Sequence, residues 1–145
     1  MGAPCSIRLR ELVDALPLEP GMRVLEVGCG PGAAARAIAE RVSPGGYVLA
    51  IDRSARAIAQ ARVASATDIA AERLTFRQAD VEDFELGAGE EPYDLAFAAR
   101  VGVLDGRHPA REQDALRAIA SALTPTGRLL LDGGDPLREV VLPRN

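Results

Sequence analysis

The sequence predicts one α/β domain: a doubly wound, mainly parallel sheet of five strands with helices on both faces. Short apolar segments alternate along the chain with segments of helical spacing, as in a sheet built from strand–helix–strand units. Most of these segments lack the polar–apolar alternation of a half-exposed strand, so both faces of the sheet should be covered. A glycine-rich turn, residues 28–32, follows the first apolar segment directly.

Composition limits the chain to one domain and excludes several function classes. Residues 1–145 are enough to bury a core and are predicted to form a single domain. A net charge of −4 argues against general affinity for nucleic acid or for an anionic membrane. All 17 basic residues are arginine, which excludes a P-loop lysine and Schiff-base chemistry. Two cysteines are too few for a disulfide framework.

The sequence carries no sign of membrane insertion or export. No stretch approaches the roughly 18 apolar residues of a membrane span. Residues 1–10 also lack the apolar core of a signal peptide. We therefore expect a cytoplasmic protein.

The first half of the chain is expected to form two strands and three helices. Leu9 and Leu12 begin an amphipathic helical pattern that ends at Pro17, and Ser54 is placed to cap the third helix. In chain order, the predicted helix, strand, helix, strand and helix occupy residues 9–16, 23–27, 34–42, 47–51 and 55–63.

The second half of the chain is expected to contain three strands and one long helix. Strands are predicted at residues 74–78, 93–98 and 128–131, with a turn at 124–127 before the last. Residues 82–91 are predicted to form a loop with at most a short helix, and residues 99–108 are predicted to form a second loop. Pro109 suits the first position of the helix that follows.

Right-handed crossovers place the carboxyl ends of all parallel strands at one rim of the sheet. Asp52, Asp80, Ala98 and Asp132 follow four of these strands, so they should gather near the glycine turn. A dinucleotide-binding protein would use this rim through the pattern Gly28-x-Gly30-x-x-Ala33. Asp52, 24 positions after Gly28, would then contact the ribose hydroxyls.

Residues 26–32 (EVGCGPG) resemble the first motif of the class I S-adenosylmethionine-dependent methyltransferases, whose typical form is E/D-x-G-x-G-x-G. Four further segments resemble motifs of that family in its order and spacing, and together they cover the chain from about Leu9 to Asp135. They are residues 51–54 (IDRS), 78–81 (QADV), 92–97 (PYDLAF) and 123–129 (LTPTGRL). The resemblance implies the methyltransferase fold and S-adenosylmethionine as cofactor.

The resemblance also implies roles for individual residues. Asp52 would accept hydrogen bonds from both ribose hydroxyls, and Asp80 one from the adenine amino group. Val81 would donate its backbone N–H to the adenine ring, while the carbonyls of Gly28 and Ala98 would face the methionine ammonium. The implied cofactor-binding set is Glu26, Gly28, Cys29, Gly30, Gly32, Asp52, Arg53, Asp80, Val81 and Ala98.

Two members of this set are defined by their position in the turn. Glu26 would hold the glycine turn and meet the methionine portion of the cofactor through water. Cys29 is interpreted as a small buried residue of the turn, with a reactive thiol as the alternative.

A nicotinamide-binding oxidoreductase is the weaker alternative. Pro31 and Gly32 fit the methyltransferase turn better than a dinucleotide turn. Asp80 has no role in dinucleotide binding, and there is no second domain to present a hydride acceptor.

Methyl transfer from a sulfonium is an in-line displacement that needs positioning but no obligatory catalytic side chain. His108 is the candidate base where the acceptor must lose a proton, with a surface or helix-capping role as the alternative. Arg100 is a candidate partner of an acidic substrate or of the cofactor carboxylate, and otherwise a surface arginine. Residues 132–135 either line the acceptor side or form a simple turn. No residue is assigned to a metal.

The segment after Asp132 is short for this family. Thirteen residues follow it, and only one short strand is predicted, within residues 137–142. The fifth strand would then expose an edge, which proteins rarely leave bare. We therefore expect a homodimer in which a second copy covers this edge.

The expected function is methyl transfer to a small-molecule acceptor. Residues 97–100 (FAAR) lack the Asn/Asp-Pro-Pro-Tyr/Phe pattern that binds planar amino groups, which disfavours methylation of adenine N6 or protein glutamine. A cofactor-binding module or subunit without transferase activity is the alternative.

Overall fold

The computed structural model describes residues 5–144 and confirms the α/β class. One sheet holds six strands: β1 Arg23–Val27, β2 Tyr47–Asp52, β3 Leu74–Gln78, β4 Tyr93–Ala98, β5 Leu123–Asp132 and β6 Leu137–Val140. Five α-helices accompany it: α1 Ile7–Ala15, α2 Ala33–Arg41, α3 Ala55–Ala64, α4 Ala66–Ala70 and α5 Pro109–Ala122. Two short 3₁₀ turns lie at Val81–Asp83 and Gly102–Leu104. Helix α4 has no buried residue, which explains why no apolar pattern predicted it.

The strands are arranged in the order β3-β2-β1-β4-β5-β6, and the first five are parallel. The strand order reverses between β1 and β4, whose ends meet where Val27 pairs with Ala98. In open parallel sheets, ligands bind outside the carboxyl ends of the strands at such a switch point. The topology therefore directs attention to the loops that follow β1 and β4.

Both faces of the sheet are covered, as the apolar strands predict. On one face, Val24 packs in a cluster with Leu12 of α1 and Ile38 of α2. On the other, Leu25 packs in a cluster with Ile119 of α5. Val24 and Leu25 are neighbours in β1 and both are fully buried, which fixes the sheet as the middle layer of three.

In the carboxyl-terminal part of the sheet, one expectation is corrected and another is confirmed. Strand β5 begins at Leu123, so the turn predicted at 124–127 is wrong; Leu123 already pairs with Tyr93, and the register shifts before Leu95 meets Arg128. The predicted short strand is present as β6, antiparallel to β5 over Leu129–Asp132. The sheet thus has six strands rather than five.

Because β6 pairs with this edge of β5, the chain itself covers the stretch that a second copy was expected to cover. The homodimer stays a prediction. No helix within residues 5–144 is long and apolar enough to cross a membrane.

Candidate functional site

The glycine turn joins β1 to α2 at the switch point. Gly28, Gly30 and Gly32 all have positive φ, which favours glycine at each position. The backbone N–H groups of Gly28 and Cys29 donate to the carbonyl of Ile51 at 2.8 and 3.0 Å, tying the turn to β2. A Cβ on Gly28 would lie 2.7 Å from Cγ2 of Val101, so the turn also lies against the loop after β4.

Asp52, the last residue of β2, links the glycine turn to the next helix. Its Oδ2 accepts from the backbone N–H of Gly30 at 2.9 Å, and its Oδ1 accepts from that of Ser54 at 2.9 Å. Ser54 then caps α3 as predicted, since its hydroxyl accepts from the N–H of Ala57. The carboxylate of Asp52 is therefore fixed by two backbone contacts, with lone pairs left for a ligand.

Two cavities meet at Asp52 and Gly28. The inner cavity, of about 330 Å³, lies between the glycine turn and α1 and is lined by Ser6, Arg8, Leu9, Leu12, Glu26, Gly28, Cys29, Gly30, Pro31, Asp52, Ala99 and Arg100. The central cavity, of about 370 Å³, reaches toward α5 and is lined by Val27, Gly28, Asp52, Arg53, Val81, Glu82, Arg100, Val101, Gly102, Val103, Arg107, His108 and Arg111.

Glu26 is the buried acid of the inner cavity. Its side chain is 3% exposed, and its Oε1 has no hydrogen-bond partner among the described residues. Burial, reinforced by the nearby charge of Asp52, raises the pKa of Glu26 to about 8. A buried acid of this kind stabilises a cationic group placed in the cavity, since the cation would restore the charged form.

Cys29 lies in the turn as a buried residue. Its Sγ donates to the carbonyl of Gly30 at 3.5 Å. Burial, together with the nearby Glu26 and Asp52, raises the pKa of the thiol well above its usual range. The thiol therefore stays protonated, which favours the structural interpretation of Cys29 over a reactive one.

The other predicted cofactor residues fall into two groups. Arg53 and the buried Val81 line the central cavity. Asp80 is exposed at the start of the 3₁₀ turn, and Gly32 packs against Phe76 at the start of α2. Neither of these two borders the inner or the central cavity. The roles assigned to Asp80 and Gly32 stay predictions.

A third cavity, of about 430 Å³, lies between the ends of β4 and β5, and we call it the β5 cavity. It contains Ala98, the buried last residue of β4. Its lining is Ala98, Arg100, Val101, Gly102, Leu104, Asp105, Arg107, Leu131, Asp132, Gly133 and Arg138. Asp132 and Gly133 therefore border a cavity, as the acceptor-side interpretation of residues 132–135 requires.

The two candidate catalytic residues lie in the loop after β4. His108 is exposed, borders the central cavity and occupies the N-cap position of α5, where its side chain makes no capping bond. Arg100 borders all three cavities. Its φ of 57° is unusual for a residue other than glycine, and its backbone N–H donates to Oδ1 of Asp132 at 3.2 Å.

Sequence reasoning missed several arginines at the site. Arg8 lines the inner cavity, Arg107 and Arg111 the central one, and Arg138 the β5 cavity. The available signal was the density of arginine around the loop after β4. Arginines in loops are usually solvated, so this density alone does not identify a site.

A doubly wound sheet with a glycine turn, a strand-end acid and a buried acid at its switch point defines a nucleotide-type binding protein of the Rossmann-like class. A family profile described as "Methyltransferase domain" matches residues 18–141, most of the chain. The chain belongs to the class I S-adenosylmethionine-dependent methyltransferase family.

Individual relatives agree with this family. Nocamycin O-methyltransferase of Saccharothrix syringae is 36% identical over 142 residues, covering 96% of this chain and 47% of that protein. Protein-L-isoaspartate O-methyltransferase of Methanothrix thermoacetophila is 31% identical over 134 residues, covering 90% of this chain and 56% of that protein. The chain thus spans about half the length of these relatives.

A solved structure with the same fold is coclaurine N-methyltransferase bound to N-methylheliamine and SAH. Its TM-score to this chain is 0.69, with 21% identity over 85% of this chain and 34% of that one. At this identity the likeness concerns the fold alone.

The residues of the inner cavity fit the methionine portion of S-adenosylmethionine. The unpartnered Oε1 of Glu26 suits an ammonium group, and the glycines at positions 28 and 30 line the same cavity without side chains. Asp52, at the boundary of the two cavities, suits the ribose hydroxyls between methionine and adenine.

We predict that the free energy of unfolding falls as pH rises from 5.5 to 7.5 and that Glu26→Gln removes much of this slope. The native carboxyl keeps its proton to about pH 8, whereas the unfolded one loses it near its ordinary value of 4.5. Between these values the native state binds the extra proton, so rising pH favours unfolding by up to about 1.4 kcal/mol per pH unit. Urea unfolding at several pH values measures the slope, and parallel curves for the two proteins would contradict the prediction.

Proposed function

We propose that this chain binds S-adenosylmethionine across the inner and central cavities and transfers its methyl group to a small-molecule acceptor. The observation that carries the proposal is the unpartnered Oε1 of Glu26 in a cavity formed by the glycine turn. A buried acid without a partner is costly, and an ammonium group in the cavity would offset that cost.

The chain's own residues would hold the cofactor by charge and shape. Glu26 would face the ammonium group, and Asp52 would accept from the ribose hydroxyls. Arg53 and Val81 would border the adenine in the central cavity, with the backbone N–H of Val81 toward the ring. When bound, S-adenosylmethionine supplies an activated methyl group on a sulfonium.

The remaining task of the chain is to place the acceptor in line with the methyl group and to exclude water. Positioning of this kind accounts for a large part of the rate without a reacting side chain. His108 borders the central cavity, and from there it would serve as a base for an acceptor that must lose a proton. It makes no capping bond that would compete with this role.

A small acceptor is supported by the size of the β5 cavity, about 430 Å³, which is in the usual range for small-molecule sites. Nocamycin O-methyltransferase has a small molecule in its name. Protein-L-isoaspartate O-methyltransferase has a protein residue in its name, so a protein acceptor is the second candidate.

We predict that Asp52→Asn weakens binding of S-adenosylmethionine about tenfold or more, as expected from the loss of a charge-assisted contact. Isothermal titration of wild type and variant measures this change. Asp94→Asn is the matched control, because Asp94 also accepts a backbone N–H, that of Arg23 at 2.9 Å, but lies at the opposite end of the sheet. Equal losses in both variants, or tighter binding of NAD than of S-adenosylmethionine, would contradict the proposal.

We predict that the purified chain converts S-adenosylmethionine to S-adenosylhomocysteine in the presence of an acceptor. Transfer of an isotope-labelled methyl group to a broad panel of small hydroxy, amino and carboxylic compounds measures this activity. Tight cofactor binding without turnover on any acceptor would favour the alternative, a binding module without transferase activity.

A further inference from the structure

We propose that the β5 cavity binds a methyl acceptor bearing one carboxylate, anchored by the guanidinium groups of Arg100 and Arg138. This inference rests on the proposed function, since it names the acceptor class for the same site.

The β5 cavity lies next to the space assigned to the cofactor. It shares Arg100, Val101, Gly102 and Arg107 with the central cavity, and Arg100 also borders the inner cavity. A ligand in the β5 cavity would therefore lie beside the cofactor rather than in its place. Adjacent positions are what in-line transfer between two ligands requires.

The charges around the β5 cavity leave two arginines available. Asp105 forms an ion pair with Arg107, in which Nη2 of Arg107 lies 2.5 Å from Oδ2 of Asp105. Asp132 accepts the backbone N–H of Arg100 and lies 3.7 Å from a guanidinium nitrogen of Arg8. Among residues 5–144, the guanidinium groups of Arg100 and Arg138 form no ion pair with an acidic side chain. They are therefore available to an anion in the cavity.

The end of β5 holds both arginines at the cavity wall. Asp132 accepts the backbone N–H of Arg100, which helps to hold this residue in the left-handed region, a conformation that is unusual for a residue other than glycine. Arg138 lies on β6 opposite Leu131, where a Cβ on Gly133 would be 3.8 Å from its Nε. The guanidinium group of Arg138 therefore lies close to the turn at Gly133, at the wall of the cavity.

The same lining favours a carboxylate over a phosphate. A carboxylate carries one charge and matches the planar fork of a guanidinium group. The lining holds three arginines and two aspartates, so its net charge of +1 is neutralised by one carboxylate. A phosphate monoester carries a charge of about −1.5 to −2 and would leave excess negative charge beside Asp105 and Asp132. The acidic residues therefore set an upper limit on the charge of the ligand.

Benzoate and benzamide test this proposal, because they share shape but differ in charge. Binding is measured by ligand-observed NMR on the full chain saturated with S-adenosylhomocysteine. We expect benzoate to bind more tightly than benzamide and than phenyl phosphate. We expect Arg138→Gln and Arg100→Gln to weaken benzoate about tenfold while leaving benzamide unchanged.

Arg117→Gln is the matched control, because it removes the same charge as the other two substitutions. Arg117 lies on the exposed side of α5, outside the β5 cavity. Equal binding of benzoate and benzamide, equal losses in the control, or tighter binding of phenyl phosphate would overturn the proposal. Calorimetry with S-adenosylhomocysteine on wild type and Arg138→Gln separates a failure of the proposed function from a failure of the proposed acceptor class. Absent cofactor binding contradicts the proposed function, whereas intact cofactor binding without preference for benzoate contradicts only the acceptor class.

Discussion

The burial of Glu26 is the constraint on which the site depends. A carboxyl group at the end of the central strand, beside Asp52 and without a partner for its Oε1, lowers the stability of the chain when it is ionised. Buried acids of this kind are typical of sites where a ligand of opposite charge compensates the buried negative charge. The glycine turn, the two cavities and the fixed position of Asp52 are all arranged around this acid.

The conformation of the glycine turn is fixed by contacts with three residues outside it. Ile51 of β2 accepts two of its backbone N–H groups, and Asp52 accepts a third from Gly30. Val101, from the loop after β4, occupies the space that a side chain at Gly28 would need. The turn is thus shaped by both neighbours of β1, so a ligand bound there would contact loops from each half of the sheet.

The sequence predicted the parts of the fold that apolar patterns encode. The bounds of the buried strands β1 to β4 followed from their composition to within one residue, and the cap at Ser54 followed from local chemistry. Helix α4 and the early start of β5 were missed, because one has no buried face and the other depends on pairing with Tyr93. The Glu26 and Asp52 positions came from the family's motifs. Arg138 was not identified, since only β6 pairing brings it to the cavity wall.

The central claim is that Glu26 faces a ligand ammonium group, and proton release on binding tests it most directly. Titration calorimetry with S-adenosylhomocysteine at pH 7, in buffers of different ionisation enthalpy, counts the protons exchanged. Because the pKa of Glu26 is about 8 in the chain alone, an ammonium beside it should expel close to one proton per ligand. Binding without proton release, or release that persists in Glu26→Gln, would contradict the account.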